Sequence, residues 1–183
     1  TLAPSVISDN RAGAAALTRL ILRASEGRRA PGVPILFVGG RPTEHNTIER
    51  IKGFRDAHAE IGITVDDDHI LTEDHAPDTA QGALDAYVAT HRRSPDALFV
   101  GSTIALEGVV RWIVTNPGFA SARPHVGCFD WDPMVSLLDR NIVMVRQDVP
   151  RMLEALFGMI DGEREDVGVI EIPTEVIQVS PSG

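Results

Sequence analysis

Short apolar runs alternate with stretches of helical periodicity along most of the chain, and this alternation restricts the fold more than any other feature. VPILFVGG at 33–40 and DALFVGS at 96–102 are typical of buried strands, and each precedes a segment whose apolar residues recur every three or four positions. Strands that alternate with helices pair in parallel, and the helices cover both faces of the sheet. We therefore predict an α/β fold with a parallel sheet sandwiched by helices.

The helical periodicity also indicates which side chains face the core. Helices are predicted at residues 11–24, 46–61, 79–91, 104–115 and 150–161. The side chains that we expect to be buried on the first, third and fourth of these helices are Leu17, Leu20, Ile21, Ala83, Leu84, Tyr87, Val88, Leu106, Val109, Val110 and Ile113.

The last predicted helix and the tail that follows it have a different pattern. The segment VGVIEIPTEVIQVSPSG at 167–183 alternates apolar and polar residues like a half-exposed strand. Pro173 interrupts it, and because proline has no N–H to donate, we expect it at the edge of a sheet. On the helix, the side chains that we expect to point inward are Met152, Leu153, Leu156, Phe157 and Ile160.

Charge and cysteine content exclude several classes of function for this segment. A formal net charge of −9, with no run of Lys and Arg, repels polyphosphate, so any contact with DNA has to come from another segment. Cys128 is the only cysteine, which excludes an internal disulfide and suits a reducing compartment; we expect a buried thiol in a strand. No stretch is typical of a signal peptide or a membrane span, so we expect a cytoplasmic protein without a membrane partner.

The motifs of common enzymes are missing from the sequence. It contains no GxxxxGK[ST], GxGxxG, GxSxG or HExxH. Its six histidines have no metal-ligand spacing, and DDDH at 66–69 lacks the glycine and final glutamate of a calcium loop. We therefore predict neither an enzyme nor a bound metal or cofactor.

Polar residues follow several of the predicted strands. Ligands of open parallel sheets bind just beyond the carboxyl ends of the strands, which selects GGRPTEHN, TEDHAPD, GST and FDWD. Asp130 can accept hydrogen bonds from vicinal hydroxyls, Ser102 can donate or accept, and His75 or Trp131 can cover an apolar sugar face. Arg50, on the helix after FVGG, can fork onto a carboxylate or phosphate. The mixture favours recognition of a polyol or a sugar phosphate.

Each of these residues also has a purely structural interpretation, and the sequence leaves both open. Ser102 can cap the following helix, Asp130 can cap a turn, and FVGG can be a tight turn rather than an anion site. Arg50 can form a surface ion pair with Glu49 or Glu60 instead of pointing into a site.

Six segments occur in an order and spacing that resemble a known family. They are SVISDNRAGAAALTRLIL, ILFVGG, ERIKGFRDAHAEIG, DALFVGSTIALEGVV, HVGCFDWDP and VMVRQDVPRMLEALFGMIDG. They are similar to the effector-binding region of the LacI/GalR family of bacterial transcriptional repressors, and they cover nearly the whole chain. DALFVGSTIALEGVV and FDWD look most similar to the fructose-responsive members, whose effector is fructose 1-phosphate.

The resemblance implies a periplasmic-binding-protein-like (type I) fold, in which two lobes are joined by three crossings and the effector lies in the cleft between them. It implies that residues 10–142 form the C-terminal lobe, and that residues 143–183 form a returning segment of the N-terminal lobe and a C-terminal strand tail. Because the chain opens on Thr1 and soon enters a strand, we expect a truncated piece. The helix-turn-helix headpiece and most of the N-terminal lobe would be absent from it.

The family's effector-binding residues can be carried over by motif. The arginine of the family's R-x-x-GF falls on Arg50, and the polar residue that ends the strand before ALEG falls on Ser102, where many members have Asn. The acidic residue of the usual GFDD falls on Asp130 or Asp132, because this chain has GCFDWD.

Three further positions match less specific parts of the pattern. Gln147 is implied by the glutamine near the third crossing, His75 by a common aromatic stacking position, and Asn46 by the start of the helix that carries Arg50.

The function that the resemblance implies is a ligand-gated repressor. A sugar phosphate, best matched by fructose 1-phosphate, would close the lobes and change the affinity of a homodimer or tetramer for operator DNA, which the absent headpiece would bind. A periplasmic sugar-binding protein of a transporter, which shares the fold, is the alternative. An α/β enzyme is a third hypothesis, supported by fold-level analogy alone.

Overall fold

The computed structural model describes residues 4–72, 74–116, 123–138, 141–161 and 168–177. No helix among these residues is both long enough and apolar enough to cross a membrane. The elements in chain order are β1 (Ser5–Ser8), α1 (Asn10–Ala24), β2 (Leu36–Val38), α2 (His45–Ala59), β3 (Ile70–Leu71), α3 (Pro77–His91), β4 (Ala97–Val100), α4 (Thr103–Thr115), β5 (His125–Phe129), α5 (Pro133–Leu138), β6 (Val143–Gln147), α6 (Val149–Ile160), β7 (Val169–Ile172) and β8 (Thr174–Ile177).

Six of the strands form one sheet in the order β3-β2-β4-β5-β6-β8. The first five strands in this order are parallel, and β8 pairs antiparallel with β6 at the edge. Alternate residues of a strand face opposite sides, so Phe37 packs under α1 and α2 while Leu36 packs under α3 and α4. The predicted parallel sheet with helices on both faces is therefore confirmed.

Three phenylalanines form the centre of the core beneath α1 and α2. The rings of Phe37 and Phe99 stack with their centroids 4.9 Å apart, and Phe54 meets both of them edge-on at 5.5 and 5.7 Å. Each such pair contributes roughly 0.5–1.5 kcal/mol beyond the area that it buries. This cluster holds α2, which carries Arg50, firmly against the sheet.

The other two strands, β1 and β7, pair in parallel as a separate small sheet, and α6 packs against both. We call β2–β6 and β8 with α1–α5 the large-sheet unit, and β1, β7 and α6 the small-sheet unit. The chain passes between the two units at Asp9, Asp148 and Pro173. The second passage differs from the division at 142/143 expected from the resemblance, because β6 pairs within the large sheet.

The predicted helices agree with the observed ones to within two residues at each end, but two expectations about burial were wrong. Val110 is 41% exposed, whereas Trp112, two residues further on, is buried. The face of α4 that packs against α3 and the sheet is therefore rotated slightly from the predicted one. On α6 the predicted inward face is largely exposed, since the helix covers only two strands. Its exposed side chains are Leu153, Leu156, Phe157 and Ile160.

Candidate ligand-binding site

Arg50 lies inside the protein, at the carboxyl end of the large sheet. It is 6% exposed, and its guanidinium lies 3.8 Å from the centre of the Phe129 ring. Its Nε donates to Asn10 Oδ1 at 2.8 Å, and its Nη1 donates to the carbonyl oxygen of Gly101 at 2.5 Å. Contacts from α1, from the turn after β4 and from β5 thus fix the direction of the guanidinium.

The surface ion pairs that were the alternative for Arg50 do not form. Glu49 accepts from Lys52 at 2.6 Å, and Glu60 pairs with Arg19 at 2.6 Å. The inward interpretation of Arg50 is therefore the one that the geometry supports.

The FVGG turn allows α2 to begin close to the end of β2. Gly39 and Gly40 both have positive φ, at 100° and 84°, a conformation that side chains with a β-carbon rarely adopt. A β-carbon on Gly40 would also lie 2.5 Å from Thr47 Oγ1, inside the first turn of α2. The two glycines thus bring the helix that carries Arg50 down onto the edge of the sheet.

Asp130 faces Arg50 from the end of β5. Its Oδ2 lies 3.6 Å from Arg50 Nη1, its Oδ1 accepts from the Gln147 side-chain amide, and its side chain is partly open to solvent. Its φ of 84° is unusual for a residue other than glycine and costs about 1 kcal/mol or more, a strain often found at binding sites. Asp132 instead accepts from the Met134 backbone N–H at 2.7 Å, where α5 begins. Of the two acidic candidates, Asp130 is the one in the Arg50 cluster.

Two residues of the cluster, Asn10 and Ser8, were missed by the sequence reasoning. The buried Asn10 donates to the carbonyl oxygen of Ser8 at 2.9 Å and to Asn46 Oδ1 at 3.2 Å. Ser8 Oγ donates to Gln147 Oε1 at 2.5 Å. The signal was present, because Ser8 is the last residue of β1 and Asn10 lies two residues further on, and the rule about strand carboxyl ends applies to that strand as well.

The remaining predicted residues are placed differently. Ser102 is buried and accepts from the Ala105 backbone N–H at 3.2 Å, so it caps α4. His75 is exposed, and among the described residues it makes no hydrogen bond to the Arg50 cluster; its backbone N–H donates to Asp74 at 2.7 Å. The structure thus brings Arg50, Asp130, Gln147 and Asn46 together and leaves His75 outside the cluster.

Burial controls the electrostatics of the cluster. Desolvation lowers the pKa of Arg50, and the nearby Asp130 carboxylate partly opposes that effect. Arginine remains a cation even so. Burial also raises the pKa of Cys128, which lies in β5 beneath the cluster, and Asp130 raises it further. The cluster therefore presents one fixed positive charge and one carboxylate, and the thiol stays neutral.

A cavity of about 740 Å³ opens beside Asp130 and runs along the second and third passages between the two units. Its wall includes Trp131, whose ring lies 5.7 Å from the Arg146 guanidinium, and Gln147. Cavities of roughly 300–1,000 Å³ are typical for small-molecule ligands. In the described part of the chain no three His, Cys, Asp or Glu side chains cluster closely enough to hold a metal ion.

Comparison with known proteins gives a consistent family. Residues 2–122 match the family model described as periplasmic binding proteins and sugar binding domain of LacI family. The Sucrose operon repressor of Klebsiella pneumoniae is 28% identical over 131 residues, which is 69% of this chain and 39% of that protein. The Ribitol operon repressor of Klebsiella aerogenes is 56% identical over 41 residues, 22% of this chain and 15% of that protein.

Solved structures show the same fold. The Cra transcriptional dual regulator from Pseudomonas putida, in complex with fructose 1-phosphate, superposes with a TM-score of 0.78 at 23% identity. The match covers 96% of this chain and 63% of that chain. The chain therefore spans less than two thirds of the length of these relatives.

Proposed function

Because the chain belongs to the family of periplasmic binding proteins and LacI-family sugar-binding domains, we propose that it is the effector-sensing part of a transcriptional regulator of sugar metabolism. The two repressors to which it is similar support a regulator rather than a transport protein or an enzyme.

The proposed effector is a sugar phosphate, with fructose 1-phosphate as the first candidate. The observation that carries this proposal is the buried Arg50 guanidinium, whose charge is only partly compensated by Asp130 at 3.6 Å. A phosphate oxygen can supply the missing charge compensation, and Asp130 can accept from sugar hydroxyls. The structural match to a regulator that holds fructose 1-phosphate supports the choice of sugar.

Gln147 and Asn46 are proposed to complete the polar wall. Gln147 already bridges Asp130 and Ser8, and Asn46 is exposed beside Asn10. Ser102 and His75 enter the proposal with smaller roles. Ser102 shapes the turn that presents the Gly101 carbonyl to Arg50, and His75, which follows β3, is proposed to contact the effector from the exposed loop before α3.

The lobes are proposed to meet at the three passages between the units. In this scheme the large-sheet unit is the C-terminal lobe, and the small-sheet unit is part of an N-terminal lobe whose other elements, with a DNA-binding headpiece, lie in the longer relatives' additional length. The Ser8–Gln147–Asp130 hydrogen bonds link the first two passages to the site, so an effector that contacts Asp130 acts on the hinge directly. Operator binding by a homodimer or tetramer follows the two-fold symmetry of operators.

The experiment is calorimetric titration of the complete gene product with fructose 1-phosphate, fructose and fructose 1,6-bisphosphate. Arg50→Lys keeps the charge but loses the planar fork, and Asp130→Asn removes the carboxylate with little change of shape. Each should weaken binding of fructose 1-phosphate at least tenfold, since a charge-assisted hydrogen bond contributes about 1.5–3 kcal/mol. Arg50→Ala is less suitable, because it would leave Asp130 without its cationic partner and destabilise the fold.

The matched control is Arg55→Lys, on the same helix, whose guanidinium pairs with Asp67 on the surface at 2.6 Å. Binding of fructose 1-phosphate by this variant should equal that of the parent. Equal binding by Arg50→Lys as well would refute the site, and heat with none of the three sugars would remove the sugar phosphate proposal.

A further inference from the structure

The polar contacts around Arg50 form a closed circuit. Ser8 Oγ donates to Gln147 Oε1, and the Gln147 side-chain amide donates to Asp130 Oδ1. Asp130 Oδ2 faces Arg50 Nη1 at 3.6 Å, and Arg50 Nε donates to Asn10 Oδ1 at 2.8 Å. Asn10 Nδ2 then donates to the carbonyl oxygen of Ser8 at 2.9 Å. Arg50 is therefore held between a carboxylate on one side and a neutral amide on the other.

The orientation of the Asn10 amide is fixed by its neighbours. Arg50 Nε–H can only donate, so the amide oxygen has to face it, and the amide nitrogen faces two acceptors, the Ser8 carbonyl oxygen and Asn46 Oδ1. Turning the amide over would place two donors against each other and leave both acceptors unpaired. Because Asn10 and Arg50 are both buried, water cannot compensate for that loss. Asn10 thus holds the guanidinium in one direction.

The chain has a carboxylate one residue before Asn10 and turns it elsewhere. Asp9 Oδ1 accepts from the Ala12 N–H at 2.8 Å and caps α1, whereas the Asn10 side chain faces Arg50. A carboxylate in the place of the Asn10 amide would neutralise the guanidinium at hydrogen-bond distance. The neutral amide instead fixes the direction of Arg50 and leaves its charge compensated only by Asp130, at 3.6 Å.

One edge of the Arg50 guanidinium is available to a ligand. Nη1 donates to the Gly101 carbonyl oxygen, but within the described residues Nη2 makes no hydrogen bond. The two N–H groups of Nη2 can therefore donate to an effector. A phosphate oxygen would accept from them in a charge-assisted hydrogen bond, which is roughly twice as strong as the bond that a neutral hydroxyl oxygen would accept.

We propose that Asn10 determines the specificity of the site for a phosphorylated sugar over the same sugar without its phosphate. As a positioning residue, Asn10 fixes the direction of Arg50 without neutralising it. The positive charge then acts on the phosphate and has little effect on a sugar that lacks one. The assignment rests on the proposed function, because it concerns the choice between two forms of one effector.

The most direct test exchanges two neighbouring residues. The double variant Asp9→Asn/Asn10→Asp keeps the net charge and the cap of α1, since Asn and Asp are equally good N-cap residues, but it places the carboxylate beside Arg50. In calorimetric titration of the complete gene product, the double variant should bind fructose 1-phosphate about tenfold more weakly than the parent, a difference of about 1.4 kcal/mol. It should bind fructose as the parent does. The matched control is Asp9→Asn alone, which should bind both compounds like the parent.

A second measurement separates the holding of Arg50 from its charge. In protein with isotope-labelled arginine, the Arg50 Nε–H signal is identified by NMR from its absence in Arg50→Lys, and its exchange with water reports on the hydrogen bond to Asn10. Asn10→Ala removes the acceptor without adding a charge, so it should speed this exchange about tenfold and weaken binding of fructose 1-phosphate. The double variant should keep the exchange slow, because a carboxylate also accepts from Nε. Should the double variant not fold, Asn10→Ala still has to show both of its effects.

Three results would overturn this role of Asn10 while leaving the proposed function in place. The first is that the double variant binds fructose 1-phosphate as tightly as Asp9→Asn does. The second is that it loses affinity for fructose by the same factor, which would make Asn10 a structural residue only. The third is unchanged exchange of the Arg50 Nε–H in Asn10→Ala. If the parent itself binds no fructose 1-phosphate, the proposed function fails, and the specificity assigned to Asn10 fails with it.

Discussion

The large-sheet unit and the small-sheet unit follow the same strand-and-helix pattern, yet they bury their apolar side chains to very different extents. Every residue of β2 and β4 is buried, because helices cover both faces of the large sheet. Of the residues of α6, all of which the structure describes, only Ala155 is buried, and Phe157 is 58% exposed. An amphipathic pattern thus indicates which face of a helix needs a covering layer. It does not show that this layer belongs to the same stretch of chain.

The exposed face of α6 has a physical cost. Apolar surface left in water forgoes roughly 25 cal/mol per Å², and large exposed patches usually mark surfaces that contact another layer. In the proposed two-lobed arrangement, additional elements of the N-terminal lobe cover this face. In that arrangement the large-sheet unit contains a whole hydrophobic core, whereas the small-sheet unit contains only part of one.

The largest expected difference in unfolding free energy is between two variants, each of which removes one phenylalanine from one of the two units. Phe54 is fully buried, so Phe54→Ala should lower the free energy of unfolding by about 3–5 kcal/mol, whereas Phe157→Ala should change it by less than about 0.5 kcal/mol. Urea denaturation of this chain measures both. In the complete gene product Phe157→Ala should cost more than about 1 kcal/mol if a further layer covers α6. Similar costs for the two variants in this chain would contradict the comparison.

A second prediction uses the histidine in the core of the large-sheet unit. His58 is buried, its Nδ1 lies 2.7 Å from the Phe54 carbonyl oxygen, and its Nε2 accepts from the Ile35 N–H at 3.2 Å. Burial lowers its pKa from 6.5 to about 4. Because the unfolded chain takes up a proton first, its contribution is fully present above about pH 6.5 and is lost as the pH falls towards about pH 4.

The expected loss of unfolding free energy between about pH 7.5 and about pH 4.5 is about 2–3 kcal/mol. His58→Gln should flatten this dependence in urea denaturation, while the exposed His45→Gln should keep it. The small-sheet unit contains no histidine in β1, β7 or α6, so the dependence belongs to the large-sheet unit. An unchanged slope in His58→Gln would assign the pH dependence to other groups.

The smallest expected effects come from one glycine in each unit. A β-carbon on Gly53 would lie 2.1 Å from the carbonyl oxygen of Arg11, where α1 and α2 touch, so Gly53→Ala should destabilise the chain by about 1–3 kcal/mol. A β-carbon on Gly158, in α6, meets nothing within 4 Å. Gly158→Ala should therefore raise the unfolding free energy by about 0.5–1 kcal/mol through helix propensity. Thermal unfolding of the two variants checks the opposite signs, and a loss in both would show that α6 is already covered.

Much of the fold followed from local periodicity, since helix ends and the main strands are set by residues close in sequence. What could not be predicted depends on partners distant in sequence. The short helix α5 has too few turns to show a period, and Pro173 proved to separate two strands that pair in different sheets. The face of α4 that turns inward was not predicted correctly, because Trp112 is buried in the core and the spacing of apolar residues alone did not indicate this.

The candidate site was predicted in part for a similar reason. Arg50 and Asp130 were identifiable from their positions after strands as well as by resemblance, and Gln147 was identifiable by resemblance alone. The rule about strand carboxyl ends places the Arg50 and Asp130 side chains at one edge of the sheet, where they meet. The orientation of Arg50 depends on Asn10, which is 40 residues away in the chain, and on the Gly101 carbonyl. The rule about strand carboxyl ends selects the residues around Asn10, but it does not show that the Asn10 side chain turns inward to accept from Arg50.

The position of Cys128 has a practical consequence for measuring when the site opens. It is the only thiol in the sequence, it is fully buried two residues before Asp130, and its raised pKa keeps it unreactive while the sheet is closed. A thiol reagent can therefore modify the folded chain only during local or global unfolding around β5. The rate of that modification therefore measures how often the strand beneath the site opens. Any compound that holds Asp130 in place should slow the modification, and the measurement requires no introduced label.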